Sequence, residues 1–288
     1  MQLTHELIKN NLPVRFSHQN KGDFGHVLVI GGSYGMAGAV CMTAQSALKS
    51  GAGLVTVAVP ERIADIVSVK LTECMVLPLP DENGMLSASA RQTIKSFLPK
   101  VNTVVFGMGA RKCAGTAAIL EFLLQTFTGT LVLDADALNV LAENPELFHI
   151  KRKCMLILTP HPGEMARLMN LEISFVQAER ENNAKKYAQT NNLVLVLKGE
   201  GTVISDGEKF FLNPTGNVGM ATGGSGDVLA GVIGGLAAQK ITPLHAAFCG
   251  CYLHGLAGDI ALKEKTYFSL TACDLITYLP EAFREILL

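Results

Sequence analysis

The stretch TGGSGDVLAG, residues 222–231, combines four glycines and one carboxylate, Asp227, at the start of an apolar run that is typical of a helix. Glycines let the backbone turn sharply and let a ligand approach the N–H groups of the first helical turn. A helix N-terminus stabilises a nearby negative charge by about 0.3–1 kcal/mol. This stretch alone leaves two interpretations open. Either the glycines form a tight turn with Asp227 as an ordinary first-turn residue, or they expose amides to an anion while Asp227 does chemistry beside it.

A second glycine-rich segment, Gly31–Gly38, follows an apolar run and precedes a helical pattern. Its spacing is not G-x-G-x-x-G, and no GxxxxGK[ST] sequence occurs, so neither a dinucleotide fingerprint nor a P-loop is supported. Glu61 could imitate the ribose-binding carboxylate of a dehydrogenase, but without the fingerprint we interpret it as a residue at a helix start.

The sequence TPHPGE, 159–164, places two prolines around His161, which predicts a rigid loop that fixes the directions of His161 and Glu164. Glu164 could hold a hydrated Mg²⁺, which prefers carboxylate and water ligands. The alternative is a proline-led helix start with Glu164 in its first turn. Asp134 and Asp136 alternate at the end of another apolar run, so we expect one to face a cleft and the other to cap the next helix.

Five residues, Lys198–Thr202, end a further apolar run with one cation and two glycines. This composition suits nucleotide phosphates or a ribose, although a lysine at a strand end can also be merely solvated. His245 and His254 lie in a helical pattern without other metal ligands nearby in the sequence, and we expect both to be structural.

Short runs that are apolar on both faces recur along the chain, which is typical of parallel strands covered by helices on both sides. Helix-length segments at 37–50, 114–127 and 174–191 lie between them, and Asp206-Gly207 predicts a hairpin. After this hairpin, the sequence pattern predicts helices to the end of the chain. The six predicted parallel strands are 26–32, 54–59, 103–109, 130–136, 154–160 and 193–199.

The composition is that of a well-buried globular protein, with 49% hydrophobic and 17% charged residues among 288. No repeat or linker marks a boundary, so we predict one domain, 1–288. The net charge of −1 gives no basis for binding nucleic acid or an anionic membrane. Apolar stretches are too short for a membrane span. Seven cysteines without a CxxC pair, and a start that does not resemble a signal peptide, favour a cytoplasmic protein.

In an open parallel sheet, ligands bind outside the carboxyl ends of the strands. The glycine-rich and polar segments described above each follow the last apolar residue of a predicted strand, apart from TGGSGD. We therefore expect them to share one cleft.

Taken together, these segments resemble the ribokinase-like superfamily and, within it, the ADP-dependent NAD(P)H-hydrate dehydratases. The resemblance covers nearly the whole chain, from KGDFGHVLVIGGSYGMAGA (21–39) and SGAGLVTVAVPE (50–61) to LTACDLI (270–276). Ser225 stands where threonine is common. The resemblance implies an α/β fold, a three-layer sandwich with a mostly parallel central sheet, helices on both faces and no separate lid domain.

The same resemblance implies ADP-dependent dehydration of the 6S hydrates of NADH and NADPH, with Mg²⁺, in a stand-alone enzyme that forms a homotetramer. The apolar C-terminal helices are candidates for the tetramer contacts. Asp227 would be the base beside the substrate hydroxyl, and Glu164 is our candidate metal ligand. The implied hydrate-site residues are Ala39, Gly109, His161 and Asp227, and the implied nucleotide-site residues are Lys198, Gly199, Glu200, Gly201, Thr202, Gly224, Ser225 and Gly226.

Two alternatives stay open. A small-molecule kinase of the same fold, such as a hydroxyethylthiazole or pyridoxal kinase, would release the phosphate ester as its product. A nucleotide-sensing protein would bind without turnover, although its retention of Asp227 would then need another explanation.

Overall fold

The computed structural model describes residues 1–288, and its central feature is a nine-stranded sheet with the order β11-β10-β9-β8-β7-β6-β1-β2-β3. All neighbours from β9 to β3 pair in parallel, and β10 and β11 add an antiparallel hairpin at one edge. A separate small hairpin is formed by β4 and β5. The strands are β1 His26–Ile30, β2 Leu54–Pro60, β3 Met75–Leu79, β4 Asp81–Glu82, β5 Met85–Leu86, β6 Thr103–Phe106, β7 Thr130–Leu133, β8 Met155–Leu158, β9 Val194–Leu197, β10 Val203–Ser205 and β11 Phe210–Leu212.

Twelve α-helices surround this sheet, together with three short 3₁₀ turns at Leu98–Lys100, Pro145–His149 and Val218–Met220. None of these helices has the length and apolar character that crossing a bilayer requires. The helices are α1 His5–Asn11, α2 Ala37–Lys49, α3 Glu61–Lys70, α4 Ala90–Phe97, α5 Ala114–Thr126, α6 Asp136–Glu143, α7 Pro162–Met169, α8 Ile173–Ala178, α9 Arg180–Asn191, α10 Ser225–Ala238, α11 Pro243–Ala261 and α12 Ala272–Leu287.

The sheet separates two hydrophobic cores, because successive side chains of a strand point to opposite faces. In β1, Val27 and Val29 enter the core formed with α2, α10, α11 and α12, whereas Leu28 and Ile30 enter the core formed with α4 to α7 and α9. Burial on both faces explains why the central strands read as continuous apolar runs. The three-layer arrangement and the absence of a lid domain are confirmed, since the only excursion from the sheet is the hairpin of β4 and β5.

Each of the six predicted parallel strands is present, and the hairpin lies where Asp206-Gly207 predicted it, with Gly207 at φ +93°. The prediction of one helix over 174–191 was wrong. That segment breaks at Glu179 (φ −129°, ψ 43°) into α8, which packs on α7, and α9, which packs along β9 and β10. After the break, the Arg180 guanidinium donates to the carbonyl oxygen of Leu197 at 3.0 Å, which anchors the start of α9 to the end of β9.

The apolar side chains of α10 pack against other parts of the same chain. Its residues Val228–Ala238 are all buried, and the helix packs closely on α2. Residues Val228–Ala238 of this helix are therefore unavailable for contacts between subunits, which leaves α11 and α12 as the C-terminal helices to which our expectation can apply.

Candidate functional site

The site begins with a buried ion pair at the carboxyl ends of β7 and β9. Nζ of Lys198 lies 2.8 Å from Oδ1 of Asp134, which is 2% exposed, and 3.9 Å from Oε2 of Glu164. Burial disfavours the charge of Lys198, but Asp134, Glu164 and Asp227 together raise the pKa of its ammonium above its ordinary value. Lys198 is therefore a fixed cation among three carboxylates. From the sequence we expected one of Asp134 and Asp136 to face a cleft, but the pairing with Lys198 was not predicted.

Asp227 lies in the first turn of α10, partly buried, and its carboxylate accepts no hydrogen bond from the protein. Burial raises its pKa to about 7, with a further contribution from the charge of Asp134 and an opposing one from Lys198. The backbone below it is held by Thr43 of α2, whose Oγ1 donates to the Asp227 carbonyl oxygen at 3.0 Å. An acid with a pKa near neutrality and no protein partner can accept a proton from a bound alcohol.

The glycines before Asp227 have different structural roles. Gly224 has φ +92°, and a Cβ there would lie 2.7 Å from Sδ of Met42, so this glycine is required by the turn and by packing. At Gly226 a Cβ would lie 3.3 Å from Nζ of Lys198, which places the backbone of this residue against the ion pair. Gly223 has open space around its Cβ position. The mouth of α10 therefore leaves room for a ligand beside Lys198.

His254 of α11 supports the same helical turn. Its Nε2 donates to the carbonyl oxygen of Ser225 at 3.0 Å, and burial lowers its pKa to about 4. A neutral imidazole thus holds the start of α10 in place, a structural role that agrees with our expectation for this residue.

His161 caps α7. Its Nδ1 accepts from the backbone N–H of Gly163 at 3.0 Å, while Oε2 of Glu164 accepts from the His161 N–H at 2.8 Å. An accepting Nδ1 places the proton of a neutral ring on Nε2, which lies 3.5 Å from Oε1 of Glu164. Burial, with the charge of Lys198, lowers the pKa of His161, and burial raises that of Glu164. The helix-start interpretation of TPHPGE is therefore confirmed, and the imidazole remains half exposed to the cleft.

No group of three or more His, Cys, Asp or Glu side chains in the structure could hold a metal ion by itself. Glu164 already accepts a backbone hydrogen bond through Oε2. Mg²⁺ commonly uses one or two carboxylates and completes its shell with water and substrate phosphates, so the pair of Glu164 and Asp134 fits such an ion only when phosphates are also bound. A role for Glu164 at a metal stays a prediction.

The segment Lys198–Thr202 forms a tight turn between β9 and β10. Gly199 and Gly201 have φ +133° and +60°, and Oγ1 of Thr202 donates to the Gly199 carbonyl oxygen at 2.8 Å. Glu200 is exposed at the tip. The turn presents exposed backbone next to Lys198, but only Lys198 among its side chains reaches the buried carboxylates.

The predicted hydrate-site residues Ala39 and Gly109 are neighbours. Gly109 has φ +63°, and a Cβ on it would lie 3.3 Å from the Cβ of Ala39 and 3.0 Å from that of Met36. The buried hydroxyl of Ser33 donates to the Gly109 carbonyl oxygen at 2.8 Å. Of the two acidic residues after β7, Asp134 faces inward, whereas Asp136 accepts from the backbone N–H of Arg111 at 2.8 Å rather than from an amide of its own helix.

Sequence reasoning missed three supporting residues: Thr43, Arg180 and the ion-pair partner Asp134. Thr43 and Arg180 act on backbone carbonyls that are distant in sequence, and their residue types carry no local signal of this. The sequence placed Asp134 at the end of a buried strand, but it could not identify Lys198 as its partner. That pairing depends on the order of β7, β8 and β9 in the sheet.

The fold and site define an α/β protein of the ribokinase-like class, in which a bare helix mouth meets the carboxyl ends of parallel strands. A ribokinase-like superfamily protein from Enterococcus faecalis superimposes with a TM-score of 0.84 at 26% identity, covering 99% of this chain and 95% of that one. The family model for NAD(P)H-hydrate dehydratases matches residues 27–281, and the chain belongs to this family.

Among the relatives, the bifunctional NAD(P)H-hydrate repair enzyme of Moorella thermoacetica is 43% identical over 287 residues, which are 99% of this chain and 54% of the relative. The chain thus spans about half the length of these bifunctional relatives. The ADP-dependent (S)-NAD(P)H-hydrate dehydratase of Neisseria meningitidis serogroup B is 37% identical over 253 residues, 87% of this chain and 81% of the relative.

Comparison with solved structures also finds an NAD(P)H-hydrate dehydratase. The ADP/ATP-dependent NAD(P)H-hydrate dehydratase of Bacillus subtilis, co-crystallised with ATP and Mg²⁺, has a TM-score of 0.85 at 29% identity and covers 99% of this chain and 98% of its own. A hydroxyethylthiazole kinase from Pyrococcus horikoshii shares the fold alone, with a TM-score of 0.62 at 16% identity and 97% and 94% coverage.

Proposed function

We propose that this chain uses ADP to dehydrate the 6S hydrates of NADH and NADPH, releasing AMP, phosphate and the restored reduced dinucleotide. Membership of the NAD(P)H-hydrate dehydratase family supports the reaction. The observation that carries the mechanism is the state of the Asp227 carboxylate, which has a pKa of about 7 and accepts no hydrogen bond from the protein. It lies at the N-terminus of α10, and Nζ of Lys198 lies beside the same helix end, next to Gly226.

The chemistry requires activation of a poor leaving group. Asp227 accepts the proton of the C6 hydroxyl, whose oxygen then forms a bond to the β-phosphorus of ADP while the bond from that phosphorus to the AMP oxygen breaks. The C6–O bond of the resulting phosphate ester then breaks with the help of the lone pair on the ring nitrogen, so that phosphate leaves, and loss of a proton from C5 restores the double bond. A positioned general base contributes a factor of about 10²–10⁴ to such a rate.

Charge on the transferring phosphoryl group is the larger electrostatic problem, and the chain offers two fixed sources of positive potential. These are the amides of Gly224 and Gly226, whose N–H groups have no acceptor in the protein, and the ammonium of Lys198. Because Lys198 is already held by Asp134 at 2.8 Å, it does not need to reorganise when phosphate arrives. The nucleotide would lie between this mouth and the turn Lys198–Thr202.

The hydrate would lie on the side of Ala39, Gly109 and His161. The half-exposed imidazole of His161 can contact a polar substituent of the ring, while its protonated Nε2 lies 3.5 Å from Oε1 of Glu164. Mg²⁺, when bound with the nucleotide, would neutralise part of the phosphate charge, and Glu164 is the residue we propose to hold its water shell.

We also propose that the protein acts in the cytoplasm as a homotetramer. With α10 buried, exposed apolar side chains such as Val218, Tyr267 and Phe268 are the better candidates for subunit contacts. Size-exclusion chromatography with light scattering tests this: a monomeric mass would contradict it.

The experiment for the reaction is to mix the protein with ADP and separately prepared 6S hydrate of NADH, and to follow recovery of the absorbance of NADH. We expect recovery only with ADP present, with one AMP and one phosphate for each NADH formed. Absence of recovery, together with phosphorylation of hydroxyethylthiazole or pyridoxal, would instead indicate the kinase. ADP binding without any turnover would indicate the nucleotide sensor.

A further inference from the structure

Arg111, in the loop between β6 and α5, has a constrained backbone that the proposed mechanism does not use. Its φ is +60°, in the left-handed region that residues other than glycine rarely adopt. Its N–H donates to Oδ2 of Asp136 at 2.8 Å, which ties the loop to the first turn of α6. The backbone that carries this side chain is therefore held in place.

The guanidinium is anchored at one atom only. Nε donates to Oγ of Ser33 at 3.2 Å, and Ser33 is fully buried. The two Nη atoms make no hydrogen bond to the protein, and no carboxylate forms an ion pair with Arg111. By contrast, the neighbouring Lys112 pairs with Glu143. Arg111 thus presents an oriented and uncompensated cation at an exposed position.

One hydroxyl separates this cation from the proposed hydrate site. Oγ of Ser33 accepts a hydrogen bond from Nε of Arg111 and donates one to the carbonyl oxygen of Gly109. A Cβ built on Gly109 would contact Met36 and Ala39. Exposed Tyr34 and Met36 lie one and three residues after Ser33 and give this edge of the cleft an apolar surface. A ligand on this side would contact apolar side chains and a guanidinium whose Nη atoms are free.

We propose that Arg111 binds the pyrophosphate of the dinucleotide substrate and so determines its selection over smaller alcohols. This inference rests on the proposed function. A guanidinium with its Nη atoms free can form two parallel hydrogen bonds to phosphate oxygens, a geometry that lysine cannot reproduce. The phosphates of a dinucleotide are also the only strongly anionic groups common to NADH and NADPH hydrates.

The test compares Arg111→Gly and Arg111→Lys with the wild type in steady-state assays on the hydrates of NADH and NADPH. Glycine tolerates the positive φ, so this variant should fold. We expect the KM for both hydrates to rise about 10- to 100-fold with Arg111→Gly and less with Arg111→Lys, because hydrogen bonds to charged groups are strong. The kcat and the KM for ADP should change less than about twofold. Lys112→Ala, at the adjacent position, is the control and should leave all these values unchanged.

A second readout does not depend on turnover: NADH binding followed by its fluorescence should weaken by a similar factor in Arg111→Gly. An unchanged hydrate KM would overturn the inference while leaving the proposed function intact, since the wild type would still turn over. An effect confined to the NADPH hydrate would also overturn it, because that would assign Arg111 to the 2′-phosphate. A raised KM for ADP would place Arg111 at the nucleotide and contradict it equally.

Discussion

The Lys198 ammonium lies 2.8 Å from Oδ1 of Asp134, directly beneath the backbone of Gly226. This relationship joins the end of β9, the end of β7 and the mouth of α10 at one point. It means that an anion entering at the helix mouth meets a cation whose position is already set by a buried carboxylate. The proposed stabilisation of the transferring phosphoryl group depends on this fixed charge.

Removing Lys198 should therefore cost stability as well as activity. Lys198→Met leaves Asp134 buried without its partner, and we expect the free energy of unfolding to fall by about 3–5 kcal/mol. Lys112→Met is the matched control, because its pair with Glu143 is exposed and should contribute only about 0–1 kcal/mol. Urea denaturation followed by circular dichroism measures both. Adding Asp134→Asn to Lys198→Met should recover part of the loss, and equal destabilisation by the two single lysine variants would contradict the assignment.

The glycines of the helix mouth should separate into a structural and a binding class. Gly224→Ala should lower the free energy of unfolding by about 1–3 kcal/mol, because of its positive φ and the contact with Met42. Gly226→Val should fold, since its nearest neighbours are the end of a lysine side chain and a carboxylate oxygen, but it should weaken ADP binding at least about tenfold by filling the approach to Lys198.

Thermal melts and isothermal titration with ADP distinguish these two effects. Gly223→Ala, which has open space around its Cβ position, is the control and should alter neither measurement. Unchanged ADP affinity in Gly226→Val would argue against a phosphate site at this mouth.

The pH dependence of the rate should report Asp227. Its pKa is raised to about 7 in the free enzyme, and the base must be unprotonated to accept a proton. We therefore expect kcat/KM for the hydrate to rise with pH through about 7 and to level off above it. Initial rates at saturating ADP measure this profile. A rate that falls across the same range would indicate that the protonated form of the group is the active one.

Ionisation of Asp227 should also affect stability, in the opposite direction: the free energy of unfolding should fall as pH rises, whereas the rate should increase. The folded-state pKa of Asp227 lies above the ordinary value of 3.8, so between about 4 and 7 the folded state binds more protons than the unfolded state. Stability is therefore lost as pH rises through this window. Asp227→Asn removes this cost, of about 2–4 kcal/mol above pH 7, and should raise Tm by several degrees at pH 8 and by less at pH 5.

Melting curves at these two pH values provide the comparison. Asp65→Asn, an exposed carboxylate on α3, is the control and should show no such difference. A lower Tm for Asp227→Asn than for the wild type at pH 8 would show that the carboxylate is not destabilised by its surroundings.

Much of the fold could be predicted from the sequence because burial on both faces leaves a continuous apolar pattern in each central strand. The edge strand β3 escaped prediction, since only one of its five residues is buried and it contains Pro78. The break between α8 and α9 was equally hidden, because no glycine or proline marks it in the sequence.

The site could be predicted in part. Glycine spacing and strand ends indicated Asp227, Lys198 and His161, because turns and helix starts are local features. The pairing of Lys198 with Asp134 and the contact of Ser33 with Arg111 could not be predicted, since each joins residues more than sixty positions apart through the order of strands in the sheet.

The most direct test of the central claim is the turnover of the 6S hydrate of NADH by Asp227→Asn, measured beside its affinity for ADP. The amide is nearly the shape of the carboxylate but cannot take the proton, while the helix amides and Lys198 remain. We predict that kcat falls at least about 10²-fold and that the dissociation constant of ADP stays within about threefold of the wild type. Turnover equal to that of the wild type would contradict the assignment of Asp227 as the base.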